Sequence, residues 1–207
     1  MKIVIFGATG SVGRELVAQG LALGHDVTAF VRDPGRLNVR HNRLSIVVGD
    51  ALDAESVAAA IAGQQAVLCA LGAGRKGGVR AQGTANIIGG MRRHGVKRFV
   101  CQTTLGAGDS AAALTFFWKY IMFGLFLRDA FADHELQEKH IRESDLDWTI
   151  VRPAAFVDAP AGTGYRHGFP ATETGLKLKI SRADVAEFML KQLTDDHYLR
   201  QAPALSY

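Results

Sequence analysis

Two cysteines and five prolines are all that the 207 residues contain, and no apolar run is long enough to cross a bilayer. Cys69 and Cys101 each sit inside a short apolar run, residues 66–71 and 99–101, so they read as core thiols rather than a disulfide or a metal pair. No cluster of His, Cys and carboxylates has metal-ligand spacing: His134 and His140 are six apart on a charged stretch, and His167 and His197 fall in loops. No metal is therefore expected. There is no Pro- or Ser-rich linker and no repeat, which favours one domain over residues 1–207. The first residues lack a basic stretch leading into an apolar one, so a secretory signal is not expected and a cytoplasmic location is. The net charge of +4 suits an anionic ligand, but no basic run interleaves with aromatics, so nucleic acid is not an expected partner.

What the chain does have is alternation. Residues 2–6 form an apolar run ended by glycine, and Val12, Leu16, Val17, Leu21 and Leu23 then recur at helical spacing. Gly24 closes that helix and residues 27–31 begin a second β-rich run, completing a β-α-β unit whose crossover should be right-handed. Further strands are expected over 44–48, 66–71, 98–101 and 148–151. Helices are expected over 54–62, through Ala85, Ile87, Ile88 and Met91 to Gly95, before Ser144, and after a cap at Ser181. This order predicts an α/β fold, a doubly wound parallel sheet of the Rossmann kind.

The turn Gly7-Ala8-Thr9-Gly10-Ser11-Val12-Gly13 follows the first strand and opens the first helix. A pyrophosphate needs close backbone approach, N–H groups aimed one way, and the positive end of a helix dipole. Gly7 permits the sharp exit from the strand, Gly10 clears space for phosphate, Gly13 lets the helix pack on the sheet, and Thr9 and Ser11 add hydroxyls. A tight strand-to-helix turn without a ligand is the alternative. The position of the triplet at the first β-α junction favours nucleotide binding.

The end of the second strand bears on which nucleotide. An acidic residue there would bond the ribose of NAD, whereas a 2′-phosphate calls for a guanidinium. Here the strand runs into Arg32, with Arg36 close behind and Asp33 the one nearby acid. Unless both arginines are merely solvated loop residues, this pattern selects NADP(H).

Taken together, residues 7–13, Val31-Arg32-Asp33, Val48-Gly49-Asp50, the stretch 147–153 and the stretch 180–185 resemble the atypical short-chain dehydrogenase/reductases with an NmrA-like NAD(P)-binding domain. Within that group the chain is most similar to the NADPH-dependent flavin reductases, also known as biliverdin-IXβ reductases, a similarity extending over 133–144 and 188–194. The resemblance implies further cofactor contacts. Asp50 and Ala51 would lie by the adenine; Leu71, Gly72, Ala73 and Arg75 would line the ribose and phosphates. Thr103 would stand near the nicotinamide, and Pro153, Ala154 and Ala155 would hold its carboxamide through backbone contacts.

The chain departs from the family at two places. The Tyr-x-x-x-Lys pair of ordinary short-chain dehydrogenases falls on Ala130 and His134, and the flavin reductases have a histidine where this chain has Ala154. A standard carbonyl reductase is thereby disfavoured. Hydride transfer to a conjugated acceptor such as a flavin, a linear tetrapyrrole or a quinone needs less acid catalysis, because the acceptor spreads the charge itself. Thr103 is the candidate catalytic donor; Thr104, Phe116, Trp118 and Phe156 are candidate substrate contacts, with the substrate site expected from segments 103–130 and 153–170. Ordinary strand-end hydroxyls are the alternative for the two threonines. The aromatic stretch 115–127 is compatible with a substrate wall, an oligomer contact, a membrane-surface patch or helix core, but at about 13 residues is too short for stable membrane insertion. The expected partner is a small planar aromatic or tetrapyrrole substrate, on a monomer or homodimer. An NADP(H)-binding redox sensor without turnover is the competing function; a nucleotide-sugar epimerase lacks its tyrosine here.

Overall fold

In a computed structural model, residues 1–72, 74, 77–108, 128–162, 164–170 and 172–207 are described. Strand β1 (Lys2–Phe6) is buried along Ile3, Val4, Ile5 and Phe6, which are fully shielded, so it must be covered on both faces. Its pleat divides those side chains between two cores. Ile3 and Ile5 join Leu16 and Val17 of α1 (Ser11–Ala22) and Val185 and Met189 of α5 (Arg182–Lys191). Val4 and Phe6 face the other way. There they meet Val57 and Ile61 of α2 (Ala54–Ile61), Ile87 and Met91 of α3 (Val79–His94), and Ile141 of α4 (Arg128–Arg142).

The remaining strands of the central sheet are β2 (Asp26–Val31), β3 (Leu44–Val48), β4 (Ala66–Cys69), β5 (Arg98–Gln102), β6 (Asp147–Pro153), β8 (Arg166–His167) and β10 (Ala204–Ser206). Their order is β3-β2-β1-β4-β5-β6-β10-β8, parallel except where β8 meets β10. This is the expected doubly wound sheet, with β2 and β4 on opposite sides of β1. The chain reverses its direction of winding there, and the carboxyl ends of β1 and β4 leave a crevice between them.

Two observations go beyond the apolar periodicity. Strand β4 stops at Cys69, two residues before its apolar run ends, because Ala70 and Leu71 turn into the crevice. Four short strands were not expected: β8, β10, and the pair β7 (Ala155–Val157) and β9 (Lys179–Ser181), which form a separate two-stranded sheet. Strands of two or three residues are too short to show a period of two. The pair matters for the site, since it carries the chain from Pro153 past Phe156.

Candidate functional site

The carboxyl ends of six parallel strands open onto one cavity of about 620 Å³. Gly7, Thr9, Gly10, Ser11 and Val12 form its floor at β1, and Arg32 and Arg36 stand after β2. Gly49, Asp50, Ala51 and Leu52 follow β3, Ala70, Leu71 and Gly72 follow β4, Thr103, Thr104 and Leu105 follow β5, and Pro153, Ala154, Ala155 and Phe156 end the series at β6. The volume lies within the usual range for a cofactor and ligand cleft.

The turn after β1 is shaped by two steric demands. Gly7 has φ +82°, and a Cβ there would stand 2.3 Å from the Ala70 carbonyl oxygen. A Cβ on Gly13 would meet the Gly7 carbonyl oxygen at 2.0 Å, so the first turn of α1 is pressed against the strand that precedes it. Gly13 therefore acts beneath the cavity rather than on its wall.

Comparing the helix starts shows what this turn leaves free. Asp53 caps α2 by accepting from the Glu55 N–H, and Ser181 caps α5 by accepting from the Asp184 N–H. The start of α3 is capped from a different helix: the Asp133 carboxylate of α4 accepts from the N–H groups of Arg80 and Ala81 at 3.1 and 3.0 Å. Helix α1 begins at Gly10 with no side-chain cap and no acidic residue in its first turn. Among these four helices, α1 alone points uncapped N–H groups into the cavity, where an anion would satisfy them. The residues present fit a nucleotide pyrophosphate.

Around that end, among the described residues, Arg32 and Arg36 form a cationic rim, both exposed. Asp33, the nearby acid, is occupied as a local cap, its carboxylate accepting the Gly35 N–H at 3.0 Å. Opposite, the Asp50 carboxylate accepts from the Leu52 N–H at 3.0 Å, and the Ala51 carbonyl accepts from Asn86 at 2.9 Å, which steadies the loop after β3.

At the other end, Thr103 is 2% exposed and donates its hydroxyl hydrogen to Glu138 at 2.8 Å. Glu138 is in turn gripped by Arg152 through bonds of 2.9 and 2.6 Å. Thr104 donates to the Leu105 carbonyl at 3.3 Å. Both threonines are on the wall, yet their hydrogens are turned into the protein. The N–H of Ala154 donates to Leu205 and that of Ala155 to Leu178, so a backbone contact from this turn to a carboxamide falls to carbonyl oxygens. Phe156 stands at the mouth with the Arg182 guanidinium 5.3 Å from its ring centre, and Arg182 is tied to Asp158 at 2.6 Å.

Several wall residues were not foreseen: Val79, Arg80, Gln102 and Leu178. Leu178 adopts φ +52°, an unusual conformation for a branched side chain, at a position where its carbonyl accepts from Ala155. Its segment has no periodicity to mark it. Arg80 contacts the Asp133 carboxylate at 3.4 Å and donates to the Gly74 carbonyl at 3.1 Å. His134, at the lysine position of the lost catalytic pair, also lines the cavity; burial and then the Arg80 charge push its pKa down to about 4. Tyr165 turns away to donate to Glu187 at 2.8 Å, and Arg166 pairs with Glu173. Ala73, Arg75, Phe116 and Trp118 lie outside the described residues, as does the whole stretch 115–127.

A family model for NAD(P)H-binding proteins matches residues 7–196. The chain belongs to the NAD(P)H-binding family. A chloroplastic protein of Arabidopsis thaliana is 30% identical over 208 residues, covering 94% of this chain and 72% of that one. Among solved structures, a short-chain dehydrogenase/reductase from Veillonella parvula in complex with NADP superposes with a TM-score of 0.85, at 18% identity over 100% of this chain and 94% of that one. ChuY, named as an anaerobilin reductase of Escherichia coli O157:H7, superposes with a TM-score of 0.82, at 25% identity over 99% of this chain and 96% of that one. Among the described residues no helix is long and apolar enough to cross a membrane.

Proposed function

We propose that this family member is an NADPH-dependent reductase that serves a conjugated acceptor: a flavin, a biliverdin-like tetrapyrrole or a quinone. Bound NADPH supplies the hydride. The uncapped start of α1 would hold the pyrophosphate with help from Thr9 and Ser11, and Asp50 and Ala51 would border the adenine. Arg32 and Arg36 would take the 2′-phosphate, a role suited to two forked donors and one that leaves NADH the weaker ligand.

One observation carries the choice of acceptor. The inner wall holds polar groups, but among the described residues none is placed to release a proton there near neutral pH. The Thr103 hydrogen is committed to Glu138 and that of Thr104 to a carbonyl, while His134 is already deprotonated. Ala130 replaces the phenol that a carbonyl reductase requires. The acceptor must then hold the incoming charge on its own heteroatoms and draw its proton from solvent. In this arrangement Thr103 orients ligand through its oxygen, Phe156 offers a ring against which a planar acceptor stacks, and Pro153 to Ala155 close the cavity behind it. The similarity to ChuY, at 25% identity over nearly the full chain, supports the tetrapyrrole end of this range.

The test is to follow NADPH absorbance with the purified protein and FMN, biliverdin or a simple quinone. Oxidation well above the rate without protein is expected for at least one of them. Tight NADPH binding with no such oxidation would instead favour an NADP(H)-binding regulatory protein.

A further inference from the structure

Gln137 is completely buried, and its contacts determine how His134 presents itself. The Gln137 amide nitrogen donates to the Thr84 hydroxyl at 3.0 Å and toward the Cys101 sulfur at 3.3 Å. That orientation leaves Oε1 facing the His134 Nδ1 at 3.1 Å. An amide oxygen only accepts, so the hydrogen of the imidazole lies on Nδ1. Nε2 is then a bare lone pair on a ring that lines the cavity, and no described residue bonds to it. Three elements contribute to this arrangement: α4 carries His134 and Gln137, α3 carries Thr84, and β5 carries Cys101.

We propose that His134 is a specificity-determining residue whose Nε2 accepts a hydrogen bond from an N–H or O–H of the conjugated acceptor, an assignment that rests on the reductase reading. The ring's neutrality, imposed by burial and by Arg80, keeps the lone pair available across the physiological range. Thr103 works in the same sense, since its hydrogen points to Glu138 and its oxygen has lone pairs to offer. An acceptor with an N–H at its edge, such as the imide of an isoalloxazine or the lactam and pyrrole groups of a linear tetrapyrrole, has the donor that these two acceptor atoms call for. A simple quinone brings only carbonyl oxygens, lone pair against lone pair. The inference thus narrows the substrate class to N–H-bearing acceptors and disfavours quinones.

Lumiflavin provides a clean probe, because its oxidised form has one N–H, at N3, and methylation at N3 removes it. Binding of lumiflavin and of 3-methyllumiflavin to the protein saturated with NADP+ is read from quenching of flavin fluorescence, so that no turnover is needed. Lumiflavin should bind about tenfold more tightly, the scale of one buried hydrogen bond. His134→Phe should bring the two ligands to equal affinity, whereas His134→Gln, whose side-chain oxygen still accepts, should keep part of the preference. Equal binding by the unmodified protein, a preference that survives in His134→Phe, or no binding of either flavin would each overturn the proposal. If NADPH is nevertheless oxidised by some acceptor, the reductase reading stands without it; if none oxidises NADPH, it is that reading that fails.

Discussion

Replace Glu138 by Gln, and the buried guanidinium of Arg152 at the end of β6 loses the carboxylate that α4 sets against it. Glu138 and Arg152 are 3% and 2% exposed, so water replaces little of what is lost. The carboxylate receives two bonds from Arg152 at 2.9 and 2.6 Å and one from Thr103 at 2.8 Å, with Arg142 a further 3.6 Å contact from the rim. Breaking a buried pair from one side costs about 3–5 kcal/mol. Gln retains one acceptor oxygen, which places Glu138→Gln near the lower end, about 3 kcal/mol. Against a total stability of about 5–15 kcal/mol this is a large fraction. With a urea dependence of about 2–3 kcal/mol per molar, the unfolding midpoint should fall by roughly 1–1.5 M. The assay is urea unfolding followed by far-UV circular dichroism, applied also to Glu138→Leu, to Arg152→Met and to the double variant Glu138→Leu/Arg152→Met. Removing both charges should cost clearly less than the sum of the single changes, because neither charge then faces the gap left by the other. A loss below about 0.5 kcal/mol in Glu138→Gln, or strict additivity in the double variant, would refute the reasoning.

Three further outcomes are expected. Arg32→Ala/Arg36→Ala should weaken NADPH roughly a hundredfold or more in calorimetric titration and leave NADH nearly unchanged, since each lost charge-assisted bond to phosphate is worth about 1.5–3 kcal/mol; equal losses would count against the 2′-phosphate assignment. Gly13→Ala puts a methyl 2.0 Å from the Gly7 carbonyl oxygen, so α1 must move off the sheet; NADPH binding should fall by about a hundredfold or more, and retained affinity would mean that the turn is not the phosphate cradle. His134 has a folded pKa of about 4 against an ordinary 6.5, with Arg80, Asp133 and Glu138 as the neighbouring charges. The unfolded chain therefore binds the extra proton first as pH falls, and about 3 kcal/mol of stability should be lost between pH 6.5 and pH 4. In His134→Gln that part of the slope should vanish; an unchanged slope by urea titration across this range would assign it elsewhere.

The long-range plan of the molecule was legible because it rests on local signals. Apolar spacing over Val12, Leu16 and Val17 marks α1, and the run through β1 marks a strand shielded on both faces, which together imply the doubly wound sheet. Gly7 and Gly10 of the first turn and the pair Arg32 and Arg36 were readable as candidates for one nucleotide end, and all four line the same cavity. Other features depend on contacts between distant residues and have no local signature. Nothing near Arg80 announces that α3 is capped by Asp133, some 50 positions along. Thr103 was visible as a strand-end hydroxyl, but the direction of its hydrogen is set by Glu138 and Arg152 on two other elements. Leu178 reaches the wall from a segment without periodicity. His134 was noticed only for the lysine it replaces; its role as an acceptor follows from Gln137, Thr84 and Cys101, which no spacing rule connects.

The bare beginning of α1 has a thermodynamic side. The chain finishes α2, α3 and α5 with Asp53, Asp133 and Ser181, caps present at any dilution. At α1 there is no such side chain, and on the proposed reading the acceptor is a solute, which leaves a share of the folding free energy to mass action. A ligand bound only by the folded form adds about 2.7 kcal/mol at a hundred times its Kd. For a chain of this size that is a rise of roughly 5–10 °C in melting temperature. On that reading the melting temperature should climb with NADPH concentration even when no acceptor is present.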